Sequence, residues 1–267
     1  MDRARRERRM AAARWLTRGF HPGRISRQLG AHLAALLIAL PLFAADDIAF
    51  DPHITESEFA KFSRLIGQGV FATPVQPARA TGLLGFDVGI AATALKVDTG
   101  ASYWLHSVPA GSDFVHGDYA AVPRLVVSKV FGAGTISGSY AQFSNSGVKT
   151  YGGSLDLPIV RGSLVTPELA VRGSYATITG VDVLKLKTYG VELFLSKGFG
   201  PLMPYGAIGR MRTDSRGTVT PTLTLRDQAN INRYTVGLRL SFFVPKFVVE
   251  ATQAEQRSYA AKISVGF

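Results

Sequence analysis

The sequence has no cysteine. That absence removes disulfide frameworks, thiol nucleophiles and cysteine-based zinc or iron–sulfur sites in one step, together with the lipid attachment of a bacterial lipoprotein. Beyond residue 45 there is also no continuously apolar run that matches the ~20 residues a helix needs to cross a bilayer. A chain of this kind that resides in a membrane crosses it as a closed barrel, since lipid leaves no other way to satisfy the backbone polar groups. Acidic residues are few: 19 Asp and Glu stand against 30 Lys and Arg, a formal net charge of +11.

The position of that excess decides its meaning. Nine arginines precede residue 28, with Asp2 and Glu7 as the acids, so this segment carries 9 − 2 = +7 and the remainder only 11 − 7 = +4. A basic surface for nucleic acid is not what this distribution describes. The arginines lead into the apolar run Ala31–Ala45, which ends on small residues before Asp46 and Asp47. Basic flank, short apolar stretch and small residues make residues 1–45 a secretory signal peptide, cut after Ala44 or Ala45.

Residues 46–81 form a second region. Thr55-Glu-Ser-Glu58 has capping-box spacing, and Phe59, Phe62, Leu65 and Ile66 share one helical face. The spacing predicts one amphipathic helix over Thr55–Gly67, stopped by Gly67 and Gly69 and followed by an extended linker with Pro74 and Pro77. It serves as a plug or lies on the periplasmic rim.

From Gly82 to the end, in residues 82–267, the period changes to two. Leu84, Phe86, Val88, Ile90, Ala92 and Ala94 alternate with Gly85, Asp87, Gly89, Ala91 and Thr93. The same holds for Tyr234, Val236, Leu238, Leu240 and Phe242 against Arg233, Thr235, Gly237, Arg239 and Ser241. Soluble sandwiches also alternate. Here the second face is small as well as polar, which suits the inner wall of a narrow barrel. Tyr175, Tyr189, Tyr205, Tyr234 and Tyr259 stand near strand ends, where a hydroxyl meets headgroups. The expected fold is all-β: a single antiparallel transmembrane barrel with a short N-terminal amphipathic helix. Its strands are 83–95, 122–131, 134–144, 148–158, 168–178, 184–197, 203–214, 232–243, 246–253 and 257–267, ten in all, with eight or twelve as alternatives. The long connections Lys96–Ala121 and Ser215–Ile231 both follow odd strands, which puts them on one side of the membrane and both termini in the periplasm.

The last strand places Tyr259, Ala261, Ile263, Val265 and Phe267 at every second position up to the final residue. This resembles the C-terminal sorting signal of bacterial outer-membrane β-barrel proteins. The resemblance implies residence in the outer membrane, contact with its lipid and recognition by the barrel-assembly machinery. It carries over no substrate-binding residue.

With the apolar faces toward lipid, the lumen receives Asp87, Asp156, Arg172, Glu192, Arg210, Arg212, Arg233, Arg239, Glu250 and Lys262. An ion-pair network filling a narrow lumen is favoured over a weakly anion-preferring path. After cleavage three histidines remain, His53, His106 and His116. The last two lie in the first long loop with Ser107, Ser112, Asp113 and Asp118, where a hydrolase could place a Ser–His or Asp–His pair, but no supporting partner can be identified. His-x9-His alone is a weak metal signature. The glycines at 132–134 and 198–200 stand between strands and read as turns, not as phosphate loops. Trp104 and Tyr103 read as interfacial anchors. The expectation is a non-catalytic outer-membrane barrel without cofactors or nucleic-acid partners, acting as a narrow channel, a transporter of small solutes or lipids, or a structural protein. Its rivals are an outer-membrane enzyme with a rim site in the first long loop and a surface-binding protein using its long loops.

Overall fold

Strict alternation sends every second side chain to the opposite face of a strand, and a sheet that closes on itself turns those two faces into an inside and an outside. The computed structural model of the protein describes residues 48–78, 85–109, 115–132, 134–142, 147–163 and 165–266. The signal-peptide region, Phe267 and Ser112 and Asp113 of the first long loop lie outside the described residues.

The described chain opens with helix α1 (Glu56–Val70), followed by β1 (Phe86–Lys96), a short helix α2 (Ser102–Leu105) and a two-residue strand β2 (Val115–His116). Then come β3 (Tyr119–Phe131), β4 (Gly134–Gln142), β5 (Lys149–Val160), β6 (Glu168–Thr179), β7 (Leu184–Ser196), β8 (Leu202–Thr220), β9 (Leu223–Ser241), β10 (Pro245–Gln253) and β11 (Arg257–Gly266). Consecutive strands from β3 to β11 pair antiparallel, and β1 pairs with both β11 and β3. Asp87 faces Gly266 on one side while Phe86 faces Lys129 on the other. The sheet is therefore closed, with β1 and β3–β11 as ten staves and β2 a small hairpin on β3.

Outward side chains form a band suited to lipid. Leu125, Ile136, Leu155, Leu193, Ile208, Leu238, Val249 and Ile263 are all substantially exposed. Tyr119, Tyr140, Tyr151, Tyr175, Tyr189, Tyr234 and Tyr259 make a belt along one edge of that band, with Tyr140 opposite Tyr151 and Tyr175 opposite Tyr189. Phe131, Phe199, Phe242 and Phe243 are exposed at the other edge. Two aromatic girdles around an apolar band are the wall of a membrane-spanning barrel. Among the described residues, no helix is long and apolar enough to cross a membrane.

The long-loop end differs from expectation in one respect. Ser215–Ile231 is not a loop: β8 and β9 run 19 residues each and meet at Pro221 and Thr222. Its threonines and alternating pattern favour strand, and polarity on the outward face marks a ribbon that has left the membrane, not one that has ended. This hairpin and the 97–118 connection project from the same end. The opposite end holds the short links, for instance 242–244 between β9 and β10, and the end of β11. Short turns face the periplasm and long excursions the exterior.

Helix α1 also departs from expectation. It continues through Gly67 and Gly69 to Val70. Gly67 is explained by proximity: a Cβ there would lie 2.7 Å from the Thr213 side chain of β8. The Thr55–Glu58 capping box starts the helix as anticipated. Its apolar face packs inside the barrel at the long-loop end, where Phe59, Phe62 and Leu65 meet Leu95, Leu184, Leu186 and Leu225. Each such buried side chain contributes about 1.5–3 kcal/mol. Trp104 joins this cluster, 6.2 Å from the Phe62 ring, so it is a core residue and not an interfacial anchor. Ile48 and Phe50, which belong to this cluster, thus sit at the long-loop end of the barrel, away from Gly266 at the end of β11.

This orientation is testable because the chain has no cysteine of its own. A single Thr222→Cys on whole cells is expected to react with a membrane-impermeant thiol reagent, while Phe243→Cys stays unlabelled until the outer membrane is opened. Labelling of Phe243→Cys alone would invert the assignment.

Candidate functional site

Below the helix the lumen is lined by the inward positions of every stave, and these carry the buried charge. Among the described residues, ten acidic and basic side chains of the strands are buried: the carboxylates of Asp87, Asp156, Glu192 and Glu250, and the cations of Arg124, Arg172, Arg233, Arg239, Lys246 and Lys262. Six cations against four carboxylates leave an excess of positive charge in a space that excludes bulk water. A charge in such a place needs a partner.

The partners come from two sources. The first is the wall itself. Arg172 makes a two-point bridge to Asp156, with Nε–Oδ1 at 2.5 Å and Nη2–Oδ2 at 3.0 Å. Arg233 Nε donates to Glu192 Oε1 at 3.1 Å. Asp87 lies 2.9 Å from both Lys246 and Lys262, and Tyr205 donates its hydroxyl to Glu250 at 2.6 Å.

The second source is the last turn of helix α1 and the chain that leaves it. From Gly67 to Ala78 every residue except Thr73 is buried. This stretch runs down through the lumen with no strand beside it to satisfy its carbonyls. Arg124 donates to the carbonyls of Phe71 (2.9 Å) and Gly69 (2.8 Å). Lys262 donates to Pro74 O (3.2 Å) and Gln76 Oε1 (2.7 Å). Arg172 adds a bond to Gln76 O at 3.1 Å. Two guanidinium groups also lie over aromatic faces, Arg233 at 4.4 Å from the Phe71 ring and Arg172 at 4.2 Å from Phe194. The surplus cations of the wall thus face carbonyl oxygens of the threaded segment.

Of the lumen residues expected from sequence, Asp87, Asp156, Arg172, Glu192, Arg233, Arg239, Glu250 and Lys262 are inside and buried. Arg210 and Arg212 are not: Arg210 is exposed, and Arg212 points outward to bond Gln228 at 2.8 Å. Tyr205, expected in the belt, is inward and buried. One cause covers all three. The β8 alternation is displaced by one residue, so that Tyr205, Ala207, Met211, Thr213 and Ser215 face in, and a one-residue slip moves every side chain to the other face. Gly237 makes room for the Tyr205 ring, which a Cβ there would approach to 2.3 Å. Arg124 and Lys246 were missed as members of the network. Arg124 shares its face with Val122 and Val126, and the neighbouring run Leu125-Val126-Val127 obscures its phase. Tyr259, Ala261, Ile263 and Val265 of the terminal pattern face outward along β11.

The histidines are structural in their contacts. His53 pairs with Asp51 at 2.8 Å on the surface. His106 Nδ1 lies 3.2 Å from Glu58 Oε2, whose carboxylate also accepts from Thr55 in the capping box. Hydrogen bonds from the Ser102 side chain, the Thr55 backbone and His106 hold Glu58 down to about 2. This carboxylate clasps the loop of α2 to the start of α1. The side chain of His116 lies outside the described residues. Among the described residues, no group of three or more histidines and carboxylates is placed to hold a metal ion.

No protein-family model matches the sequence, and no curated protein matches it either. Among solved structures, the N-terminal β-barrel domain of Pseudomonas aeruginosa OprF aligns over 67% of this chain and 94% of its own, at 14% identity and a TM-score of 0.33. LpxR from Salmonella typhimurium aligns over 68% and 100%, at 11% identity and 0.36. Neisserial surface protein A aligns over 70% and 100%, at 12% identity and 0.33. These likenesses carry no residue-level correspondence. The girdled apolar wall, the even number of staves and the polar interior define this chain as an outer-membrane β-barrel protein.

Two consequences can be measured. Arg172→Ala leaves Asp156 buried without its partner and is expected to cost about 3–5 kcal/mol, whereas the paired change Asp156→Leu with Arg172→Met costs clearly less. The urea midpoint of the barrel's heat-modifiable gel shift reads both, and equal losses would contradict an ion pair. For Glu58, the value in the folded protein lies below the unfolded 4.5, so its clasp is complete above that pH and is lost as pH falls toward 2. Trp104 emission is expected to change across that acid window, and Glu58→Gln to remove the change.

Proposed function

We propose that this protein is a non-catalytic structural barrel of the outer membrane whose lumen is sealed by its own N-terminal region, residues 46–81, and that it conducts no solute. In this reading residues 1–45 are the cleaved signal peptide, and the alternating terminal strand ending at Phe267 is the mark read by the assembly machinery. The observation that carries the proposal is the seating of residues 67–78. Their carbonyls are the partners of wall cations, so withdrawing the segment would strip Arg124 and Lys262 of hydrogen bonds in a narrow, charged space. A transporter would need to break these bonds in each cycle, together with the packing of Phe59, Phe62 and Leu65. The enzyme reading is weakened at His106, whose Nδ1 is engaged by the helix-capping carboxylate of Glu58.

The purified full-length barrel in a planar bilayer is expected to show no single-channel steps. The barrel lacking residues 46–78 is expected to conduct with a preference for anions, because six buried cations then face four carboxylates across water. Steady conductance by the intact protein would overturn the proposal.

A further inference from the structure

The outward face of β7, β8 and β9 changes character just beyond the tyrosine belt at the long-loop end. Lys185 and Lys187 on β7, Arg210, Arg212 and Arg216 on β8 and Arg226 on β9 all point away from the lumen. Among the described residues, Asp214 is the one carboxylate on this face of the three strands, and none of the six cations is held in an ion pair. The register aligns like charges at two positions, Lys185 opposite Arg216 and Arg216 opposite Arg226, while Lys187 is opposite Asp214. Neighbouring strands lie ~4.8 Å apart, so three cations stand in a row across the sheet. Like charges directly opposite one another weaken a sheet. Such a row is stabilised when an anion spans it.

The surroundings say what kind of anion. Tyr189 and Tyr234 mark the edge of the apolar band beneath, and the register places Tyr189 beside Arg212 and Val191 beside Arg210. Directly below is an apolar groove of about 720 Å³ on the lipid-facing wall, lined among others by Leu193, Leu195, Gly206, Ile208 and Val236. Gly206 keeps its floor low. A cationic row immediately above an apolar groove, at the height of the headgroups, matches an amphiphile with phosphate at its head. Guanidinium groups bind phosphate through paired N–H donors, and Arg212 Nε, shielded from solvent, has no hydrogen-bond partner in the protein.

We propose that this face is a binding site for a phosphorylated lipid of the outer leaflet. Its phosphates span Lys187, Arg210 and Arg212, with the Lys185–Arg216–Arg226 row beyond them, and its acyl chains lie in the groove below. The site is separate from the sealed lumen and stands or falls independently of it. It does depend on the long-loop end facing the exterior, which the cysteine labelling above decides on its own.

The test uses the full-length protein in detergent micelles and native mass spectrometry. The probes are a bis-phosphorylated lipid A, the same lipid after phosphatase treatment, and inorganic phosphate as competitor. The bis-phosphorylated lipid is expected to bind the wild type at least tenfold more tightly than the triple variant Lys187→Gln, Arg210→Gln, Arg212→Gln. The dephosphorylated lipid should bind both proteins equally and weakly, and inorganic phosphate at matched concentration should leave the complex intact. The variant Arg210→Lys with Arg212→Lys should recover part of the affinity, through charge without the paired donors, and heat-modifiable gel mobility confirms the barrel in each. Equal lipid binding by the wild type and the triple variant would overturn the proposal. So would equal binding of both lipids by the wild type, or full displacement by inorganic phosphate, which would mark a site for small anions.

Discussion

Everything inside this barrel depends on finding partners for buried cations. A segment of the chain fills a closed ten-stave wall whose inward positions carry six buried cations against four carboxylates. Four carboxylates engage Arg172, Arg233, Lys246, Lys262 and the Tyr205 hydroxyl. Carbonyl oxygens of an irregular segment take up Arg124 and share Arg172 and Lys262. The exchange is reciprocal. An unpaired backbone in a dry interior would be as costly as an unpaired guanidinium, and here each satisfies the other. Helix α1 completes the arrangement by capping the wet end with an apolar cluster.

The wall and the interior follow one rule on two sides. Outside, apolar residues bounded by tyrosine and phenylalanine girdles set the depth in the membrane. Beyond the tyrosines the staves of β8 and β9 continue as a polar ribbon, and the same helix that seals the lumen supports it from within, through Arg64 bonded to Asp227 at 3.0 and 3.1 Å. The base of the projecting hairpin is therefore tied to the plug by this ion pair and by Leu225 in the apolar cluster. Val75, with φ of 48°, takes a left-handed turn that a β-branched residue rarely adopts. It does so where Ala91, Val126 and Phe194 close around it, a sign that the wall dictates the path of the segment.

Much of this was legible in the sequence, and the failures have a common origin. Outside the long β8–β9 hairpin, period-two alternation gave the ten staves within a few residues, because a wall with lipid on one side and a lumen on the other enforces it. Eight of the ten expected lumen charges lie inside for the same reason. The failures fall where a strand crosses the membrane boundary. On β8 the outward face is Leu202, Pro204, Gly206 and Ile208 within the lipid but Arg210, Arg212, Asp214 and Arg216 beyond it, so no single face of the strand is apolar and its phase was inverted. The same change of solvent made a long hairpin look like a loop. For residues 67–78 the sequence left two paths open, a plug or the periplasmic rim, and did not choose between them. The segment meets the wall cations through its backbone carbonyls, which no residue type announces, and Gly67 read as a helix terminator when it is a point of close approach to Thr213.

The central claim is that residues 67–78 lie inside the barrel in the intact cell envelope. A Cβ placed at Gly152 on β5 would lie 2.7 Å from that of Ala72, within an ångström or so of the separation a disulfide spans. With no native cysteine to compete, the double variant Ala72→Cys, Gly152→Cys is expected to form an intramolecular disulfide nearly quantitatively in cells, seen as a change in mobility on a non-reducing gel. Two free, reagent-accessible thiols in a correctly folded barrel would place the segment outside the lumen and contradict the account.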